Sequence, residues 1–264
     1  MVKCVTLCNN KGGVGKTSLA CSLALHAANR GYKVLLCDLD VQGNATRGVN
    51  VDALKVEHTV MDMLLLRAEP RECVTKSPLN DNLFVLPNRI TELRKVNELY
   101  AMTYGREARL ASFLRGLEGI VDLVVCDTPP FLNVMTVNGL VASDYIVVPV
   151  VPEPFALMGL GHLCSFLDKV LHRNVDLVAV LMAGERFRLT REIKQELKSR
   201  FGDVVCDVVV PRSIKIPELS WAGLPPVAGP RGNKAVEGYY QLCEVILREL
   251  AKKPKRGDKL GKET

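Results

Sequence analysis

Residues 9–17, Asn9-Asn10-Lys11-Gly12-Gly13-Val14-Gly15-Lys16-Thr17, bring three glycines, two lysines and a threonine into one short stretch. Glycine at 12, 13 and 15 leaves room for successive backbone N–H groups to converge on an anion, which larger side chains would obstruct. Lys16 adds a point charge, and the Thr17 hydroxyl is a ligand for Mg²⁺. Such a constellation cradles the phosphates of a nucleotide. The usual phosphate-binding loop opens with glycine five residues before its Gly-Lys pair. Here that position is Asn10, and a second lysine, Lys11, stands directly before the double glycine.

Transfer of a phosphoryl group is mostly positioning and charge stabilisation, so it needs a metal holder and a group that orients water. Asp127 stands at the tip of the apolar run 121–126 and fits the metal-supporting acid. Asp38 and Asp40 alternate along another apolar run, so they are expected to share a face near the phosphates. A glycine-rich loop alone could serve a kinase or a synthetase. Adding Asp40 and Asp127 makes ATP hydrolysis the leading reaction.

These groups must be carried by strands and helices in a fixed order. The cradle follows an apolar strand pattern at 2–8 and precedes a helical pattern at 18–29, which adds its positive N-terminus to the phosphate site. Further strand patterns fall at 33–39, 83–86, 121–126, 145–151, 177–182 and 204–210. Helical patterns fall at 59–67, 91–117, 156–171, 190–200 and 233–251. Alternation of this kind predicts an α/β fold, a mostly parallel twisted sheet with helices on both faces and the site at the strands' carboxyl ends. One domain is expected over 1–251, with a basic tail, 252–264, whose Lys, Gly and Pro content favours disorder.

At 264 residues and 48% hydrophobic content the chain can bury a full core. No run of 18 uninterrupted apolar residues is present and the start does not read as a secretory signal, so a cytoplasmic protein is expected. The nine cysteines include no C-x-x-C pair and are read as reduced and structural. The net charge of +6 is unevenly placed: 186–200 and 251–264 each carry +4, leaving −2 elsewhere. Two such segments read as local anion-binding surfaces.

Taken together, Lys11 to Thr17, the block Asp38-Leu39-Asp40-Val41-Gln42-Gly43-Asn44-Ala45-Thr46 and Asp127-Thr128-Pro129-Pro130 resemble the ParA/Soj partition ATPases. These belong to the deviant Walker A group of P-loop NTPases that also includes MinD. The likeness runs on through Thr136-Val137-Asn138, Val148-Pro149, Glu153-Pro154-Phe155-Ala156-Leu157 and Val210-Pro211-Arg212, nearly the whole chain apart from the tail. Val41 stands where the family usually has proline, and Met182-Ala183-Gly184-Glu185 departs from the family's usual sequence.

The resemblance implies roles. Lys11 would reach across an ATP-sandwich homodimer to the partner's phosphates. Lys16 would bind the phosphates of its own subunit, within a cradle of Gly12, Gly13, Val14, Gly15, Thr17 and Ser18. Thr17, Asp40 and Asp127 would serve Mg²⁺, with Asp40 orienting the attacking water. Pro211, with Arg212 beside it, would flank the adenine. A ParB-like partner would accelerate a slow hydrolysis.

The target surface follows from charge. Arg191, Lys194 and Lys198 recur at i, i+3 and i+7 on a helix whose apolar stripe holds Ile193 and Leu197. That row suits the phosphates of double-stranded DNA without reading bases, which implies a nucleoid-associated protein. A solvated charged helix is the other reading, since Glu192 and Glu196 share it. A MinD-like switch would end in an amphipathic membrane helix. Beyond Ala251 the only bulky apolar residue is Leu260, so no membrane contact is expected; the alternative beside partition is a MinD-like or other positioning or regulatory ATPase switch acting on a protein or membrane target. A metabolic relative, such as an amidating synthetase or an iron–sulfur reductase, is the third class.

Overall fold

The computed structural model describes residues 2–102, 104–153, 155–183 and 188–253. Pro154, Gly184, Glu185, Arg186 and the tail beyond Lys253 lie outside the described residues.

Strands β1 (Lys3–Leu7), β2 (Val34–Asp38), β3 (Thr75–Lys76), β4 (Leu83–Leu86), β5 (Leu123–Asp127), β6 (Tyr145–Val150), β7 (Leu177–Ala183) and β8 (Val205–Pro211) form one sheet. Its order is β3-β4-β2-β5-β1-β6-β7-β8. All neighbours are parallel except the β3–β4 pair at one edge. β2, β5 and β6 are buried along their whole length, as parallel strands covered on both faces must be, and their sequences are accordingly near-continuous apolar runs.

Alternate residues of each strand serve opposite layers. Val5, Leu7, Leu36 and Val125 pack under α1 (Lys16–Asn29). Cys4, Leu35, Cys37 and Val124 face the other layer. Short helices follow β2, namely α2 (Asn44–Gly48) and α3 (Val60–Leu64), and then α4 (Leu93–Ala101) and α5 (Arg109–Arg115). Next come α6 (Val134–Ala142), α7 (Ala156–Leu171), α8 (Arg188–Phe201), α9 (Lys215–Trp221) and α10 (Lys234–Lys252). Helix α10 joins α1 on the first face. Helices α3 to α6 cover the second face, and α7 and α8 continue it over β6 and β7.

The helix expected over 91–117 is broken into α4 and α5. Gly105 takes a left-handed φ of 69° and Met102 is extended, which ends the first helix. The Arg106 guanidinium then donates back to the carbonyls of Tyr100 and Met102, satisfying groups a longer helix would have bonded itself. Helix α6 carried no periodic signal because its sequence, VMTVNGLVA, is apolar nearly all round, as a buried helix is. Its one local mark is Asn133, whose side chain accepts from Thr136 N at 3.0 Å and caps it.

The described cysteines are free, and all but Cys164 are buried, as expected of small apolar residues. Among the described residues no helix is long and apolar enough to cross a membrane.

Candidate nucleotide site

Register sets the site. Leu7 at the end of β1 and Asp38 at the end of β2 both stand opposite Asp127 at the end of β5. The glycine-rich loop leaves β1 there and turns into α1, so cradle and acids meet at the carboxyl end of three adjacent strands. Asn9 ties the loop down, donating from Nδ2 to Pro149 O at 2.8 Å while its Oδ1 accepts from Lys11 N at 3.0 Å.

Gly15 has φ of 89°, and a Cβ placed there would stand 2.8 Å from Leu181 Cδ1. The tight turn therefore needs glycine for both conformation and space. Leu181 of β7 and Tyr239 of α10, which hydrogen-bonds Ser18, brace the loop from behind. Neither carried a sequence signal, since a leucine in a strand and a tyrosine in an amphipathic helix read as ordinary core.

The two lysines go opposite ways. Lys16 is 6% exposed and its ammonium donates to Lys11 O at 3.0 Å, inside the loop. Burial lowers its pKa, while the nearby charges of Asp127 and Asp40 oppose that shift. Lys11 instead turns outward, its side chain 46% exposed and paired with Glu153.

Thr17 Oγ1 donates to Asp127 Oδ2 at 2.7 Å. The other carboxylate oxygen, Oδ1, is buried without a hydrogen-bond partner among the described residues. Burial and the neighbouring Asp38 hold the Asp127 carboxyl well above the usual carboxylate range. An orphaned, buried carboxylate oxygen beside a hydroxyl and further acids is what a hard divalent cation completes. The residues therefore fit Mg²⁺.

Asp38 and Asp40 part company. Asp38 turns inward: Oδ2 accepts from Thr46 N at 2.8 Å and Oγ1 at 2.7 Å, and Oδ1 from Asp40 N at 3.2 Å. Asp40 lies beyond the strand's last residue, with Oδ1 accepting from Gln42 N at 3.0 Å. Both carboxylates nevertheless stand close enough to Asp127 for their charges to raise its pKa. Asp38 shapes the 40–46 loop through Thr46 and Asp40 N, and the Asp40 carboxylate accepts from Gln42 N within it. Gly43 keeps that loop tight, since a Cβ there would meet Asn88 O at 2.6 Å.

Burial pushes the Asp38 carboxyl up to about 7, against the hydrogen bonds from Thr46 and with some help from the Asp40 charge. Its unfolded value is about 3.9. Between about pH 4 and 7 the folded chain thus binds more protons here than the unfolded chain does. Stability from this group falls as pH rises through that window and levels off above it. Asp38→Asn should remove the fall, on the order of a few kcal/mol. Urea melts of both proteins from pH 4 to 8 measure the difference, and parallel profiles would contradict the assignment.

Pro211, half-buried, and Arg212, exposed, lie at the end of β8, at the carboxyl edge of the sheet but with β6 and β7 between them and β1. Of the cationic row on α8, Arg191 is exposed. Lys194 donates to Asp207 O at 2.8 Å and Lys198 pairs with the Asp207 carboxylate, so two of the three are turned onto β8.

The chain is similar along most of its length to known proteins. A family model described as an AAA domain matches residues 2–179. The sporulation initiation inhibitor protein Soj of Bacillus subtilis is 35% identical over 251 residues, 93% of this chain and 98% of that one. The chromosome partitioning protein ParA of Caulobacter vibrioides is 32% identical over 262 residues, covering 96% of this chain and 97% of the relative. Among solved structures, cobyrinic acid a,c-diamide synthase from Mycobacterium smegmatis, with bound ADP and magnesium, superposes with a TM-score of 0.81 at 26% identity. That match covers 97% of this chain and 99% of the other.

Proposed function

The chain belongs to the ParA/MinD-type family of P-loop ATPases, and from that premise we propose that it works as an ATP-bound homodimer in DNA partition. It hydrolyses ATP with Mg²⁺ as cofactor. Lys16 and the backbone of Gly12 to Ser18 hold the phosphates, Thr17 and Asp127 hold the metal with Asp40 nearby, and Pro211 and Arg212 flank the base. When bound, Mg²⁺ neutralises charge on the phosphate oxygens. Asp40 accepts a hydrogen bond from the attacking water and aligns it with the terminal phosphorus.

The observation that carries the dimer is the division of labour between the lysines. Lys16 is committed to its own loop, whereas Lys11 presents its ammonium outward. An exposed pair such as Lys11–Glu153 is worth at most about 1 kcal/mol, so a partner's phosphate can displace Glu153. Phe131 follows the Pro130 that abuts Gly12, and Phe155 and Met158 follow Glu153. These three are 53%, 72% and 57% exposed, large apolar side chains that follow in the chain the two residues touching Gly12 and Lys11. Apolar surface at the mouth of a charged site is what a second copy would cover.

In this reading the ATP dimer holds double-stranded DNA through phosphate contacts alone, and a ParB-like partner accelerates hydrolysis and releases it. A relative whose name gives chromosome partitioning as its role supports the partition part of that assignment. Arg191→Ala, Lys194→Ala and Lys198→Ala combined should weaken binding to unrelated duplexes and flatten log K against log salt by about 1 to 3. Filter retention with a non-hydrolysable ATP analogue at several salt concentrations measures this. Unchanged affinity would move the DNA surface away from α8. No retention of the wild type would sink the DNA assignment itself.

A further inference from the structure

At the amino ends of the strands, opposite the nucleotide site, a cavity of about 680 Å³ opens between β2, the β3–β4 edge, the turn Pro70–Cys73 and the end of α5. Its wall is apolar: Leu35 of β2, Phe84 of β4, Phe113 of α5, and Leu117 and Val121 beyond that helix. Cations stand around it. Lys33 and Arg71 are exposed and have no ion-pair partner among the described residues, while Lys76 pairs with Asp81. Glu69 is the one acid in the lining against the two cations without an ion pair among the described residues, Lys33 and Arg71, and Asp122 accepts from Lys33 N beside the rim.

From the apolar wall and its cationic rim we infer that this cavity binds a single-chain amphiphilic carboxylate taken from solution, the chain against Phe84, Leu117 and Ile120 and the head group between Lys33 and Arg71. The volume falls in the range of small-molecule sites, which are mostly apolar with a few polar groups that fix orientation. The charge selects the occupant. A neutral chain would leave both cations unused, and a basic peptide would be repelled by them. A carboxylate neutralises them at the surface, where neither ion need be fully desolvated. Leu35 sits on the strand that ends in Asp38, and Val121 leads into the strand that ends in Asp127, so the cavity lies at the foot of two strands that carry the site's acids.

The test is titration calorimetry of the full chain with decanoate, octanoate and hexanoate below their micelle concentrations, with decanol as the uncharged control. Saturable binding of one decanoate per chain is expected, rising about three- to fourfold per methylene. Lys33→Glu with Arg71→Glu should weaken it at least about tenfold, more so at low salt, and Val74→Trp should block it by filling the cavity. Circular dichroism melts and ATP turnover, which these substitutions should leave unchanged, establish that the variants are folded. Absence of saturable binding, equal affinity for decanol, equal affinity in folded variants, or binding seen only with anionic vesicles would each overturn the inference.

Discussion

Lys16→Ala should abolish ATP turnover and weaken nucleotide binding by about two orders of magnitude or more. The lysine is held at 6% exposure inside the loop, with its ammonium on Lys11 O and with burial lowering its pKa. A buried ammonium gives up hydration that a single carbonyl oxygen does not replace. A triphosphate does replace it, and the interaction is strengthened by the low local dielectric. Alanine removes the charge and leaves the phosphates facing Asp40 and Asp127 without compensation. Fluorescent-nucleotide titration and phosphate release measure the two effects separately. Turnover within about tenfold of wild type would mean that the cradle holds phosphate by backbone and helix N-terminus alone.

Asp40→Ala should do something different: keep ATP, lose hydrolysis by about 10²–10⁴-fold, and accumulate as an ATP-bound dimer. Asp40 lies beyond the last residue of its strand and accepts from Gln42 N, and as the proposed water-orienting group it should be felt in hydrolysis rather than in ATP binding. Asp38, two residues earlier, is the contrast. It shares the same motif but turns its carboxylate onto Thr46, and its substitution should be felt chiefly as stability. Native hydrolysis by Asp40→Ala would move the water-orienting role to another group. Loss of ATP binding would instead make Asp40 a structural support of the cradle.

The chemistry was legible in the sequence to the extent that backbone geometry forced residue types. Gly15 must be glycine because its φ is left-handed and Leu181 stands against it, and Thr17 must carry a hydroxyl to reach Asp127. The parallel sheet was legible because strands buried on both faces, such as 123–127, can only be continuous apolar runs. What stayed hidden were features made by tertiary contact. The bracing of the loop by Leu181 and Tyr239, the inward turn of Asp38 and the burial of α6 leave no periodic mark. Spacing placed Arg191, Lys194 and Lys198 on one stripe, but it could not tell that Asp207 on β8 would draw two of them in. Nor could it show that Lys11, read as the residue that crosses to a partner, rests on Glu153 in the single chain.

The measurement that bears most directly on the whole reading is sedimentation of the full chain with Mg²⁺ and a non-hydrolysable ATP analogue, beside the same protein with ADP and beside Lys11→Ala with the analogue. Twice the protomer mass is expected for the first and protomer mass for the other two. Protomer mass in all three, with the nucleotide shown to be bound, would contradict the ATP-bound homodimer.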